Sequence, residues 1–398
     1  MRKLVIAIVF QDIKNTSAEN TMFTLAEEFK KSNDVHFFTF KGQILYPKNS
    51  HIELKKFNIH HFKKHYRWIP KNIRAYFVAP LLDKFIKKKC EIEPDLVLSN
   101  LLSADRILSR SKLNSYSVIH SPMSKEIIDF GRNITVMEKI YSRKPSICVS
   151  KGVMHDFIRT FANCKIKKSH YIYNPVNVNK ILHFSKLPLN TELKEYLIHI
   201  GKFNNAKRHD VLINAYAKSK TKIPLILIGN GPTLQKNKKL VENLNLESQI
   251  FFLGFQSNPY PLIKNSSLMI SSSDYEGLGM AILEAVTLNV AVISTNCHGP
   301  KEILPQKNLC PVNDIKALSE LIIKASINPT DYQIKLNDKF SVDVATQKYL
   351  DLIQPKKQSI MTNRTLKHYR FSKAFAWINR HLRSRRKPIK KIRNLYKK

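Results

Sequence analysis

Two glutamates, Glu276 and Glu284, stand with seven residues between them in the stretch DYEGLGMAILEAV, residues 274–286. An apolar run, LMISSS at 268–273, leads into them, and its composition reads as a buried strand. Gly277 and Gly279 bracket Leu278 in the turn, and from Met280 onward the apolar spacing reads as a helix. A strand, a glycine turn and a helix N-terminus in that order make an anion site. Glycine lets backbone come close to a ligand, and the first N–H groups of the helix point at whatever sits there. An ionised glutamate is an acceptor-only group and takes hydroxyl donors. A ligand carrying both phosphate and sugar hydroxyls satisfies both halves of such a site. By themselves the two residues also fit an acid favoured by the helix macrodipole and an ordinary solvated helix residue, so the surrounding chain decides.

The elements that must position them come in two sets. Apolar strand candidates in the first half are KLVIAIVF (3–10), VHFFTF (35–40), DLVLSN (95–100), YSVIHS (116–121), SICVS (146–150) and YIYN (171–174). After YIYNPVNVN the same grammar restarts with YLIHIG (196–201), LILIG (225–229), IFFLGF (250–255), LMISSS and AVISTN (291–296). Short apolar runs alternating with amphipathic helices predict parallel sheets covered on both faces. The chain therefore reads as α/β: residues 1–173 a first doubly wound domain, 174–190 a linker, 191–338 a second such domain, 339–355 a last amphipathic helix, and 356–398 a basic tail. Ligands of such sheets sit beyond the carboxyl ends of the strands, so two facing domains would enclose a cleft.

Further residues fall at those strand ends. GKFNNAKRHDVLINAY (201–216) follows one strand and opens a helix, placing Lys202, Lys207 and Arg208 where cations would meet a diphosphate. Gly229 and Gly231 of GNGP shape a tight turn suited to close approach by a base or ribose, and HGPKEIL (298–304) opens another helix. His120 ends a strand of the first half; a lone histidine there also fits plain structural hydrogen bonding. Asp274 is an available base, and Asp95 and Asn174 read as turn residues.

Read together, HIGKF, AKRHDVLINAY, LILIGNGP, IFFLGF, SSSDYEGLGMAILEAV and HGPKEIL resemble the retaining GT-B glycosyltransferases of the group 1 family, in order and at family spacing across 196–305. The resemblance implies a GT-B fold: two Rossmann-like domains facing a cleft, with a C-terminal crossing helix. It implies that Glu276, with the backbone of Gly277, Leu278, Gly279 and Met280, holds the donor sugar, that Glu284 holds the ribose, and that Lys202 and Lys207, with Arg208, meet the diphosphate. His120 matches the family's cleft histidine. Glu19 matches the acid of a glycine-rich loop, although Thr16 and Ser17 stand where that loop has glycines, and Lys202 stands where the family usually has arginine, keeping the charge but losing bidentate geometry.

Composition limits the partners. The chain has 67 Lys and Arg against 30 Asp and Glu, a net charge of +37, which calls for a polyanion. Five scattered cysteines (Cys90, Cys148, Cys164, Cys297, Cys310) lack the spacing of a disulfide framework or zinc site and fit a reducing compartment. The N-terminal apolar run reads as a first strand rather than a signal peptide, and no stretch reaches the roughly 18 apolar residues of a membrane span. Residues 54–89 and 356–398 interleave Lys, Arg and His with Phe, Tyr and Trp, and the tail holds more than a third of the net charge. Nucleic-acid stacking, an anionic lipid surface and a solvated face all fit that pattern, and the lipid surface is favoured.

The resulting expectation is a peripheral enzyme on the cytoplasmic face of the plasma membrane. It moves a hexose-type sugar, with retention, from a nucleotide-diphosphate sugar to a lipid-linked glycan such as a lipopolysaccharide core or polysaccharide intermediate. No clustered Asp or DxD suggests a metal, so the reaction reads as metal-independent, with no cofactor and no nucleic-acid partner. The alternatives are a basic nucleic-acid-binding protein, a GT-B-like phosphorylase, or an inactive scaffold.

Overall fold

The computed structural model describes residues 2–13, 16–40, 53–58, 69–166, 168–189 and 194–353. The chain divides into two compact units: the first takes residues 1–173 and the chain from Ala345 on, the second Asn174–Val344. The tail 356–398, and within the basic stretch 54–89 residues 59–68, lie outside the described residues.

The first unit is built on a seven-stranded sheet: β1 (Val5–Phe10), β2 (Asp34–Thr39), β3 (Leu54–Lys56), β4 (Leu96–Asn100), β5 (Ser115–Ile119), β6 (Ser146–Cys148) and β7 (Ser169–Tyr171), ordered β3-β2-β1-β4-β5-β6-β7. Every neighbour is parallel. Because both faces of a parallel sheet are covered, its strands are apolar throughout, and β1 shows how one run feeds two cores. Ile6, Ile8 and Phe10 face helices Ser17–Phe29 and Lys151–Thr160, while Val5, Ala7 and Val9 face helices Lys71–Cys90 and Leu101–Leu108. The C-terminal helix expected over 339–355 is Val342–Leu350; its Ala345 and Tyr349 pack in the first of these cores, Tyr349 edge-on to Phe29 at 6.2 Å.

The second unit carries six parallel strands: β8 (Leu197–Ile200), β9 (Leu225–Ile228), β10 (Ile250–Gly254), β11 (Leu268–Ser271), β12 (Ala291–Thr295) and β13 (Leu309–Cys310), ordered β10-β9-β8-β11-β12-β13. Helices His209–Ser219 and Ile315–Ile327 cover one face of it, through residues such as Leu212, Tyr216, Leu318 and Ile322. Both sheets thus have the doubly wound order in which strand sequence reverses beside the first strand, between β1 and β4 and between β8 and β11. Ligands of open α/β sheets bind at that reversal.

The sequence reading differs from the structure at the edges. Strands β3 and β13 were not expected, since Leu54–Lys56 carries two lysines and Leu309–Cys310 is too short for periodicity to register. Phe57 and Phe85, expected within a surface stretch, pack inward, Phe57 against Phe40 at 6.3 Å and against Phe85 at 5.2 Å. Residues 174–190, expected as a linker, contain helix Val178–Phe184, tied into the second unit where Asn258 Nδ2 donates to Phe184 O at 3.0 Å.

Candidate functional site

Strands β8 and β11 are direct neighbours, with Leu197 opposite Leu268 and Ile198 opposite Met269. Their carboxyl ends therefore release two loops, 201–208 and 272–279, side by side at the reversal point. Three contacts stitch these loops together. Asp274 N donates to Ala206 O at 2.8 Å, Ser272 Oγ donates to Lys207 O at 2.8 Å, and Arg208 Nη1 reaches both Asp274 carboxylate oxygens at 3.2 and 3.3 Å.

This stitching brings Lys207 to Glu276. Lys207 Nζ donates to Glu276 Oε1, the same oxygen accepts Ser273 Oγ at 2.8 Å, and Thr295 Oγ1 holds the Ser273 carbonyl at 2.6 Å. The lysine side chain is 24% and the glutamate 13% exposed, so the pair sits at a half-buried lip. Lys202 in the same loop is exposed, and no side-chain partner holds it among the described residues. It is free to meet an anion.

Gly279 adopts φ +100° at the start of helix Met280–Thr287, so the helix opens directly beyond Glu276. The first N–H groups of that helix have no intrahelical acceptor. Leu278 is buried and Met280 half-buried; a Cβ on Gly299 (φ +93°) would lie 2.6 Å from Leu278 O, so the HGPKEIL turn presses on the Leu278 peptide and fixes it. Gly277 belongs to the same turn. Glu284 lies one helical turn in, half-buried, with no hydrogen-bond partner to its carboxyl among the described residues. Burial pushes its pKa up to about 7, and the tyrosine beside it, Tyr260, is itself shifted upward by burial and by the Glu284 charge. A carboxyl so placed is an acceptor waiting for donors.

Gly229 and Gly231 have a job within the fold itself. At φ +141° and +156°, a Cβ would lie 2.0 Å from Gly201 O and 2.3 Å from Phe203 O. What approaches these glycines closely is the 201–203 loop itself, which they hold in place below Lys202. Arg208 is likewise engaged by the protein. It sits at φ +48°, left-handed for a non-glycine residue, and its guanidinium is committed to Asp274 and to Asp210, whose oxygens it meets at 3.0 Å. It acts on the protein's own loops.

In the first unit, His120 follows β5. Asn100 Nδ2 donates to Leu98 O at 3.2 Å, which turns Asn100 Oδ1 toward His120 Nε2 at 2.9 Å. His120 therefore carries its proton on Nε2, and its buried Nδ1 has no partner among the described residues. Burial lowers its pKa to about 4, so the ring is neutral. Glu19 is buried, and one of its carboxylate oxygens accepts Thr16 N at 2.7 Å, closing the capping box of helix Ser17–Phe29. The pattern Thr16-Ser17-Ala18-Glu19 is the S/T-x-x-E signature of such a box, a signal present in the sequence and not used above. Thr16 and Ser17, standing in place of glycines, begin a capped helix.

Sequence reasoning missed two other features. Ser272 and Ser273 were legible only as a serine run closing an apolar strand. His199 and His209 form a buried pair behind Lys207, ring centroids 4.6 Å apart, with His209 stacked on Phe203 at 3.8 Å. His199 Nδ1 donates to Ile270 O at 2.8 Å, whereas His199 Nε2 and both His209 nitrogens are buried without partners among the described residues. Burial lowers these two pKa values to about 4 and about 2.

Residues 181–341 match the family described as Glycosyl transferases group 1. The chain is 33% identical over 172 residues to an uncharacterized glycosyltransferase of Methanocaldococcus jannaschii, a match covering 38% of this chain and 42% of that protein. It is 24% identical over 308 residues to the N-acetylgalactosamine-N,N'-diacetylbacillosaminyl-diphospho-undecaprenol 4-alpha-N-acetylgalactosaminyltransferase of Campylobacter jejuni, covering 74% of this chain and 81% of that one. Among solved structures, Anabaena HepE in complex with UDP and glucose superposes with a TM-score of 0.73 at 19% identity, covering 89% of this chain and all of that chain. Residues 181–341 are thus similar to the glycosyl transferases group 1, the chain spans less than half of the Methanocaldococcus relative, and it shares its GT-B fold, two Rossmann-like parallel-sheet units, with the solved structure it superposes on.

Proposed function

We propose that the chain transfers a hexose-type sugar, with retention at the anomeric carbon, from a nucleotide-diphosphate sugar to a lipid-linked glycan at a membrane surface. The carrying observation is the Lys207–Glu276–Ser273 group beside the N-terminus of helix Met280–Thr287, at the strand reversal between β8 and β11. One edge of that group is cationic and rich in N–H donors, and the other is a carboxylate.

The diphosphate binds against Lys202, Lys207 and the N–H groups opening the helix, which meet the charge that builds as the nucleoside diphosphate leaves. Glu276, held by Lys207 and Ser273, accepts hydroxyls of the donor sugar. Glu284 accepts ribose hydroxyls, and binding there supplies the donors its half-buried carboxyl lacks. The acceptor hydroxyl attacks on the face from which the diphosphate departs, and a leaving phosphate oxygen takes its proton. The reading is metal-independent.

The acceptor and location rest on surface character and on relatives. The Campylobacter relative acts on a diphospho-undecaprenol-linked sugar, and a lipopolysaccharide 1,6-galactosyltransferase of Salmonella typhimurium is 27% identical over 140 residues. Helix Lys71–Cys90 exposes Ile73, Tyr76, Phe77 and Leu81 among its lysines, and no described helix is long and apolar enough to cross a membrane. A basic surface with apolar side chains suits attachment to anionic lipid.

Purified protein incubated with a panel of nucleotide sugars and a lipid-linked acceptor should consume one donor and yield a product whose anomeric proton coupling matches the donor's. Glu276→Ala should abolish that transfer while the protein stays folded. An inverted anomer would remove retention from the reading, and unchanged turnover by Glu276→Ala would remove the site.

A further inference from the structure

We infer that the first unit carries a second anion site, for a phosphate or diphosphate group, centred on Arg106 and Arg110. The donor-site residues Lys202, Lys207, Glu276 and Glu284 belong to the second unit, and the inference does not depend on them.

Arg106 lies in the last turn of helix Leu101–Leu108, and Arg110 follows the C-cap Ser109, in a turn where its N–H donates to Ile107 O at 3.0 Å. Arg106 Nε and Arg110 Nη1 are buried, and neither donates to anything among the described residues. A buried guanidinium N–H without an acceptor forfeits its hydration with nothing in return, so native proteins rarely leave one. Here two occur four residues apart, and their surroundings add positive charge. Arg132 and Arg74 both depress the pKa of Arg106, after burial itself, and Arg143 does the same to Arg110. Arg110 lies over the Tyr76 ring at 3.6 Å, with Arg143 above the same ring at 6.0 Å.

The nearby carboxyls do not neutralise this group. Asp105 is turned to Ser99 Oγ at 2.7 Å and Tyr141 Oη at 3.0 Å, and burial pushes its pKa up to about 7. Burial raises Glu126 as well, against the pull of Arg132. Arg106 and Arg110, with Arg74, Arg132 and Arg143 around them, come from four segments, and the buried Arg106 Nε and Arg110 Nη1 find no acceptor among the described residues, an arrangement suited to a compact oxyanion. Guanidinium forks bind phosphate bidentately, which explains arginine rather than lysine in a chain so rich in lysine.

The neighbouring surface suggests what carries the anion. Tyr76, 52% exposed, belongs to both the arginine group and the apolar stripe of helix Lys71–Cys90, where Phe77 is 60% exposed. A phosphate attached to an apolar body would engage both at once. A soluble phosphate would use the arginines alone.

The test compares wild type with Arg106→Gln/Arg110→Gln and with a charge-matched control, Lys316→Gln/Lys324→Gln, whose lysines are exposed on helix Ile315–Ile327. Lys207→Met reports the donor site separately. Inorganic pyrophosphate should raise the melting temperature of wild type and of the control, and the arginine variant should lose at least half of that rise. Vesicles with 30 mol% phosphatidylglycerol, against pure phosphatidylcholine, identify the source. A fivefold or greater loss of vesicle binding in the arginine variant, beyond the control's, assigns a lipid headgroup, and loss of the pyrophosphate response alone assigns a soluble anion. If the arginine variant and the control respond alike in both arms, the inference is overturned, whatever Lys207→Met does. If pyrophosphate stabilises wild type and only Lys207→Met loses the effect, the anion belongs to the donor site and the inference likewise fails.

Discussion

Lys207 Nζ and Ser273 Oγ converge on one oxygen, Oε1 of Glu276, so the cation expected to meet phosphate also orients the carboxylate expected to meet sugar. The two functions share an atom. Anything that draws Lys207 toward a diphosphate is felt at Glu276, and the bound donor completes a set of contacts that the protein alone leaves partial.

That sharing gives the first prediction. Lys207→Met leaves the 13%-exposed Glu276 side chain without its cation and should cost about 1–3 kcal/mol of stability. Glu276→Gln in that background should restore part of the stability and none of the turnover. Thermal unfolding and donor turnover across the double-mutant cycle check this; additive stability effects would show that the pair is not coupled.

Gly229→Ala and Gly231→Ala should be among the more damaging substitutions in the second unit. Each new methyl meets a backbone carbonyl at 2.0 or 2.3 Å, at a φ that alanine avoids, so the 201–203 loop must move. A loss of about 3 kcal/mol or more, with weakened nucleotide binding, is expected from the strain and overpacking together. Denaturant midpoints and nucleotide titration measure both.

His209→Phe should stabilise the protein, and more so at low pH. The ring is stacked on Phe203, both nitrogens are buried without partners, and burial holds the pKa at about 2. Folded protein therefore keeps the ring neutral, while the unfolded chain takes up a proton below about 6.5. Stability from the neutral ring is present above pH 6.5 and lost as pH falls. At pH 5 the lost linkage amounts to about 2 kcal/mol, from roughly 1.4 kcal/mol per pH unit below 6.5. Unfolding at pH 5 and pH 8 decides it: a gain from His209→Phe equal at both would mean the histidine is not linked to protons.

Glu284 works with the opposite sign. Its folded pKa of about 7 lies above the usual carboxyl value, so folded protein holds a proton that the unfolded chain releases, and stability falls as pH rises between about 4.5 and 7. Glu284→Gln should remove that fall, by about 1–2 kcal/mol once partial exposure is allowed for, while weakening nucleotide binding at pH 8. A ligand that donates hydroxyls should itself lower the Glu284 pKa, so donor binding to wild type should release protons near pH 7, detectable by calorimetry in buffers of different ionisation enthalpy.

What the sequence determined by itself was local or periodic. Continuous apolar runs marked the longer strands, because a strand covered on both faces must be apolar at every position. Glycines at 279, 229 and 231 marked turns, because few residues accept positive φ. Glu276 and Glu284 declared themselves by spacing around a strand, turn and helix. Tertiary structure decided the partners. That Lys207 reaches Glu276 across 69 residues follows from β8 and β11 lying side by side, which strand order alone establishes. That Arg208 is occupied with Asp210 and Asp274, that Glu19 caps a helix, and that Gly229 and Gly231 make room for the protein's own backbone all depend on distances between segments far apart in the chain or on where a side chain turns. Residue type states what a group can bond to, and only the packed chain determines which partners come within reach.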